Sequence, residues 1–511
     1  MAGAGGDRQA VPGGWWEQRW LLWLLLLLSL VPFAPQALPP LADLPGHYAR
    51  FAIAADDAAN PHYSFRWLIA GNLGVDALVA LLGPLLGVKL ATKAVVMAIP
   101  PLFIAGLWRL SRAATGGVSP LFGLAAGLSF SHPYLFGFVN FALGLALWPW
   151  VLAAWIEWRR ARWTAPRLAA MVLLSSLVYL SHVTAWGILG LTAFAAEWAA
   201  RREGGAGRIE AAWRGALAMW PLCLPLLHLA GWSLSRGPGS ESVTAFFFIW
   251  REKASYLLGV MRDRFMPADL LPVLAIVGVL VVAALGRKDF HWRSKGLLVG
   301  AGLLVVAYVL MPRTLLGSAY ADMRMAPALF VLPLLVLVPR SAKGASVLAL
   351  VALAVFGARV ATVSVSAAAF DAEMQERLEV LAAAPTSARV FNIQPQFDCR
   401  SSWILNRLPQ IGAYHIAEKQ GFSNNMWRLG NASPLTRHYL ADDEFGSDPS
   451  QYVRIGDCGR AVTISYEEAL ARFPREAFDY LFIANLPRPK DEGLELVAGN
   501  EGAALYRITT P

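Results

Sequence analysis

Charge is scarce in this sequence. Asp, Glu, Lys and Arg make up 15% of its 511 residues, against about 25% in a soluble globular protein. The deficit is concentrated in residues 1–365, where apolar runs approach the roughly 20 residues that span a bilayer. That excludes a chain folding wholly in water, although residues 371–511 have an ordinary soluble composition. Cysteine is nearly absent, with three positions. Cys223 lies in an apolar run, Cys399 and Cys458 lie in the tail, and no metal-ligand spacing links them. Acids are outnumbered, giving a net charge of +9. The excess falls in short loops between apolar runs, where it reads as the positive-inside bias and not as a nucleic-acid surface. A small-x-small cleavage site is also missing after "WLLWLLLLLSLVPFAP". That stretch reads as an uncleaved first transmembrane helix.

Apolar segments fall near 20–38, 68–87, 91–108, 119–136, 138–156, 167–185, 186–200, 214–233, 268–285, 296–312, 325–339 and 345–363. The loops "WRLSR", "EWRRARW", "RREGGAGR", "GRKDFHWRSK" and "PRSAK" are basic and should share the cytoplasmic side. Alternating crossings keep them there only if one early segment does not cross. Segment 68–87 is the one set apart: it holds Gly71, Gly74, Gly83, Pro84 and Gly87, with Asp76 near its middle, and a lipid-facing helix seldom tolerates a central Asp. It is expected to lie along the outer interface or re-enter. About eleven crossings remain, with the N-terminus inside and the chain after 365 outside.

This orientation puts residues 41–66, "FSHPY", "YLSHVT", 234–267 and "MPRTLLGSAYADMRMAP" on the outer side. The outer loop 234–267 is basic against the rule, which calls for an anionic partner. The tail reads as a small α/β domain: a helix over 371–383, strands near 388–395, 452–456, 461–466, 478–486 and 502–509, and helical pieces at 401–409 and 467–473. In an oxidising compartment Cys399 and Cys458 could form a disulfide; two buried thiols are the alternative.

The outer residues able to do chemistry begin with Asp43, stiffened by Pro39, Pro40 and Pro45. Its carboxylate could act as a general base on a hydroxyl or hold a metal; the plain alternative is a loop acid. His47 could share one side of a helical turn with it. Of Asp56 and Asp57, adjacent on one helix, at most one can face the same pocket. His62 belongs to the same loop. His132 and His182, at the ends of two different segments, could bind phosphate, a metal or a sugar hydroxyl, or could simply cap helices. Arg262, Arg264, Arg313 and Arg324, with Asp322 among them, form an outer basic set. Arginine matches phosphate oxygens bidentately. Arg251 and Lys253 are weaker choices, on an interfacial helix where they would meet headgroups. No cluster demands a metal; a divalent cation remains open as the one cofactor.

With "PLADLPGHYAR" just outside the first helix, a skipped crossing after it and basic outer loops later, the chain resembles the integral-membrane glycosyltransferases of the GT-C fold. Neither a WWDYG-like signature nor a recurring PPL motif is present, so the resemblance is to the fold family and not to a subfamily. It implies a polytopic all-α membrane domain of about eleven transmembrane helices plus interfacial helices over residues 20–365, after a cytoplasmic tail at 1–19. A C-terminal extracytoplasmic α/β domain would occupy 366–511. It implies Asp43 as the catalytic acid of the first outer loop and arginines at the lipid phosphate. The donor would be a polyprenyl-phosphate-linked sugar, and the acceptor a glycan, lipid or protein. Membrane lipids would surround the chain, in a bacterial inner membrane. The competing classes are a lipid-linked polysaccharide polymerase or ligase, a lipid-linked sugar transporter, and an assembly protein without catalysis.

Overall fold

The computed structural model describes residues 14–509 except 57, 68–70, 162, 235–243, 316, 399–402, 428–433, 440–452 and 456–463. Asp57, Cys399 and Cys458 lie outside the described residues, as does the first half of the strand expected at 461–466.

Five described helices are long and apolar enough to cross a membrane: Val88–Thr115, Val139–Arg160, Val183–Glu203, Met266–Leu285 and Ala342–Leu381. Five shorter apolar helices accompany them: Arg19–Phe33, Gly74–Leu86, Ala165–Ser181, Trp220–Gly231 and Lys295–Leu310. Large apolar side chains stand exposed on the outward faces, among them Trp23, Leu27, Leu274, Val281 and Leu285. Such faces suit lipid and not water. Segment 119–136, expected as one span, is instead three short pieces, Phe122–Gly127, Leu128–Phe130 and His132–Leu135. Its residues are buried throughout except Phe136, which is partly buried. Broken backbone of this kind is tolerated at membrane depth only when wrapped in protein.

Segment 68–87 yields the helix Gly74–Leu86, 13 residues long and so about 20 Å, short of the roughly 30 Å hydrocarbon core. Gly87, at φ +76°, turns the chain into Val88–Thr115. Asp76 is not wasted in lipid. It faces Arg50 on the helix Leu44–Ala55, with Arg50 Nη2 donating to Asp76 Oδ2 at 2.8 Å and Nε 2.7 Å from Oδ1. Asn140 Nδ2 donates to the same Oδ2 at 2.9 Å, while its Oδ1 accepts from Val75 N at 2.6 Å. One buried carboxylate thus joins three helices.

The helix expected over 371–383 is the final stretch of Ala342–Leu381, which runs 40 residues without a break. At about 60 Å it is twice the hydrocarbon thickness. No proline interrupts it before Pro385, so nothing stops the apolar helix at 365. Its end is bolted to the tail: Arg377 Nη2 donates to Asn485 Oδ1 at 2.6 Å, and Asn500 Nδ2 donates to Glu376 O at 2.6 Å. The tail holds a five-stranded mixed sheet in the order Leu494–Gly499, Ala503–Ile508, Tyr480–Ala484, Arg389–Ile393, Phe422–Ser423. The strand Leu494–Gly499 and the helix Ala413–Lys419 are additions to the expected set. Residues 403–409, the described part of the helical piece expected at 401–409, are irregular, while Tyr466–Arg472 is helical as expected.

The loop 41–66 is built into this tail. Tyr63–Phe65 pairs antiparallel with Leu435–Arg437, and Ala49, Ile53 and Tyr63 share one apolar cluster with Phe391, Ile393 and Phe422.

Replacing Asp76 by Ala leaves the Arg50 charge buried without its partner. The expected loss is about 3–5 kcal/mol, read as a lowered unfolding midpoint in detergent. A parent-like midpoint would show that the pair carries no structural weight.

Candidate active site

Asp43 occupies the N-cap position of the helix Leu44–Ala55, yet its side chain makes no capping bond. The local sequence explains why. A capping carboxylate takes the backbone N–H of the second or third helical residue. The second here is Pro45, which has no N–H. The third is Gly46, whose N–H goes to Gln410 Oε1 at 3.1 Å. A Cβ on residue 46 would collide with that oxygen, so glycine is required. The other end of the same carboxamide, Gln410 Nε2, donates to Asp43 Oδ1 at 3.0 Å. Gln410 is buried.

The backbone of Asp43 is held from the opposite side, where its N–H donates to Phe136 O at 2.9 Å. Gly137 follows in a left-handed conformation, φ +94°, and a Cβ there would lie 2.6 Å from Asp43 N. The broken, buried segment 119–136 therefore exists next to the position it supports.

Arg324, early in the helix Ala321–Val336, is the basic residue that meets this group. Its charge lies within range of Asp43 and Asp322, and also of His47 and His182. It is buried, with Nη1 donating to Ser318 Oγ at 2.9 Å and Ala319 O at 2.6 Å. Its Cζ stands 4.0 Å from the centroid of the Phe138 ring. The buried Nε–H has no hydrogen-bond partner among the described residues. Among the described residues its hydrogen-bond acceptors are neutral oxygens, while Asp43 and Asp322 act on its charge through space.

His47 is buried, with Trp427 edge-on at 5.1 Å and no partner for its Nδ1 among the described residues. Burial, then the Arg50 and Arg324 charges, hold its pKa well below the ordinary histidine range. His182 comes near Arg324 but also caps its own helix, its Nδ1 accepting from Thr184 N at 3.1 Å.

The other sequence-derived residues sit elsewhere. His132 Nδ1 donates to Arg262 O at 2.9 Å, and Arg262 Nε donates to Trp403 O at 2.6 Å; both belong to the joint between membrane helices and tail. Arg264 stacks on Phe370. Arg313 is paired with Glu252 at 2.8 Å. Asp322 is paired with Lys253 at 3.1 Å, and Lys253 also donates to Tyr308 O and Met311 O. Lys253 is thus buried, not at headgroups as the sequence reading has it, because a charge on the inward side of its helix needs acceptors. Asp56 is an exposed residue ending the helix Leu44–Ala55. His62 Nε2 donates to Ser387 O at 3.1 Å, inside the tail's packing. Among the described residues no group of three or more His, Cys, Asp or Glu could hold a metal ion.

Sequence reasoning missed Gln410, 367 positions from Asp43, and the network behind it. Arg407, wholly buried, pairs with Asp263 and donates to Pro40 O. Arg359 pairs with Asp269 at 2.7 Å and donates to Phe130 O at 2.8 Å. Trp403 Nε1 reaches Asp269 Oδ2 at 2.8 Å. These residues hold segment 403–410 over the first loop. Nothing in their local sequence signals it.

No protein-family model and no curated protein matches the chain. Solved structures do. ArnT from Cupriavidus metallidurans in the apo state is similar over 96% of this chain and 97% of its own, at 10% identity and a TM-score of 0.50. The same protein bound to undecaprenyl phosphate covers 96% and 98%, at 10% identity and TM-score 0.48. An oligosaccharyltransferase from Archaeoglobus fulgidus, in complex with Zn and sulfate, covers 91% of this chain and 68% of its own, at 12% identity and TM-score 0.40. The chain has a GT-C fold.

The unfolded chain takes up a proton on His47 below about pH 6.5, and the folded protein does not. Stability therefore falls as pH drops below that value. Melts in detergent between pH 6.5 and 5 should show a steeper fall for the parent than for His47→Gln. Equal slopes would mean that His47 is protonated in the folded state.

Proposed function

We propose that this chain is an integral-membrane glycosyltransferase that moves a sugar from a polyprenyl-phosphate carrier to a hydroxyl acceptor. The reaction would take place on the extracytoplasmic face of a bacterial inner membrane, with residues 20–365 as the membrane domain and 366–511 outside. The observation that carries the reading is the placing of the Asp43 carboxylate, turned away from its own helix end, within range of the buried Arg324 charge. The GT-C fold supports it.

In this mechanism the carrier lies between helices with its phosphate against Arg324, whose planar donors match phosphate oxygens. Asp43 accepts the proton of the acceptor hydroxyl as that oxygen attacks the anomeric carbon. The bond between the anomeric carbon and the carrier phosphate breaks, and the polyprenyl phosphate leaves with the bonding electrons. Its phosphate is a weak base, so no acid is needed to protonate it. Arg324 offsets the charge that develops there, in a setting where such stabilisation is strong. A single displacement of this kind inverts the anomeric centre. His47, held neutral, and Trp427 supply a hydrogen-bonding edge and a ring face suited to a sugar. Arg313 and Arg262, already committed to Glu252 and to backbone oxygens, are set aside as the principal phosphate ligands in favour of Arg324.

Asp43→Asn keeps the shape and removes the base. Turnover of a polyprenyl-phosphate sugar should fall about a hundredfold or more, with binding of the carrier nearly unchanged. Arg324→Ala should instead weaken binding of polyprenyl phosphate, and Arg324→Lys should restore it only in part, since an ammonium lacks the fork. Parent turnover in Asp43→Asn would overturn the catalytic assignment, and parent binding in Arg324→Ala the phosphate site.

A further inference from the structure

We infer that Gln410 is a surrogate helix cap: by taking the Gly46 N–H that Asp43 would otherwise bind, it releases the Asp43 carboxylate and aims it. The inference rests on the proposed role of Asp43 for its effect on rate, though not for its structural content. An Asp at an N-cap position ordinarily turns inward onto the backbone of its own helix. A carboxylate engaged in that way is pinned below the helix end and shares its charge with the helix dipole. In "DLPGH" both usual partners are closed. Pro45 has no donor, and the Gly46 donor is taken by Gln410 Oε1 at 3.1 Å.

The carboxamide can sit only one way round. Gly46 N–H needs an acceptor, so the oxygen faces Gly46 and the NH₂ must face Asp43 Oδ1, at 3.0 Å. An Asp or Glu at 410 could cap Gly46 but would oppose the Asp43 charge. A Lys or Arg could meet Asp43 but could not accept from Gly46. Glutamine does both, and its reach is set by the absent Cβ at Gly46. The segment carrying it is anchored by Arg407, which pairs with Asp263 and donates to Pro40 O in the same first loop. The tail thereby acts on the membrane site as a positioning element, with Gln410 as the positioning residue.

Two substitutions separate capping from aiming. Gln410→Glu keeps the acceptor for Gly46 and loses the donor to Asp43. It should unfold at a lower midpoint than the parent, because the new carboxylate is buried against Asp43, with kcat lowered roughly ten- to a hundredfold, the scale of a small misplacement of a reacting group. KM for the carrier lipid should be unchanged. Gln410→Ala opens the Gly46 N–H, and a structure of this variant should show the Asp43 carboxylate turned back onto Gly46 N. Parent kcat in Gln410→Glu would overturn the positioning role. An unmoved Asp43 in the Gln410→Ala structure would overturn the surrogate cap. The second result is read without any assay of turnover, so it stands or falls apart from the proposed function. Conversely, full activity in Asp43→Asn would remove the catalytic reading and leave the cap exchange to be judged on the structure alone.

Discussion

A charge withdrawn from water into an apolar bundle must find a partner of opposite sign or enough oxygen atoms to replace its hydration. The joint between the apolar helices and the tail is arranged by that constraint. Arg50 has Asp76, Lys253 has Asp322, Arg359 has Asp269, and Arg407 has Asp263. Each pair ties together elements that are distant in sequence, and each neutralises its own members. Arg324 is different. It is buried among Ser318, Ala319 and the Phe138 ring, with no carboxylate in direct contact among the described residues. In the proposed reaction its charge meets the phosphate of the carrier, and Asp43 lies within its field.

The Asp43 side chain is kept off its own helix end by a similar set of contacts. Three groups that are each unremarkable in sequence close off its ordinary role: a proline without a donor, a glycine that admits a foreign carbonyl oxygen, and a glutamine from the tail. The loop carrying it is fixed on one side by backbone bonds to the broken helix at Leu135 and Phe136. On the other it is fixed by the strand pairing of Tyr63–Phe65 with Leu435–Arg437. The loop 41–66 is thus a shared wall between the apolar helices and the tail, and the tail is part of the candidate site.

Much of this was legible before any coordinates. Composition separated apolar from soluble stretches, and charge parity singled out segment 68–87, which forms a helix of only 13 residues. Asp43 stood out by its place after the first helix. The strands at Arg389–Ile393, Tyr480–Ala484 and Ala503–Ile508 fell where alternation put them. What stayed hidden depended on tertiary contact. The outer arginines looked alike as a set, and only their partners distinguish Arg313, held by Glu252, from Arg324. The broken backbone of 119–136 was masked by an apolar run that reads as a span, because burial in protein and burial in lipid demand the same side chains. Gln410 and Arg407 carry no local periodicity or motif at all; their meaning lies in a loop more than 360 positions away.

The central claim is that Arg324 and Asp43 face the same phosphate-linked sugar from two sides. The most direct measurement is an experimental structure of the full chain with a polyprenyl-phosphate sugar analogue bound. The account predicts a phosphate oxygen within about 3 Å of the Arg324 guanidinium and the anomeric carbon turned toward the Asp43 carboxylate. A phosphate seated on Arg262, Arg264 or Arg313, with Asp43 turned away from the sugar, would contradict it.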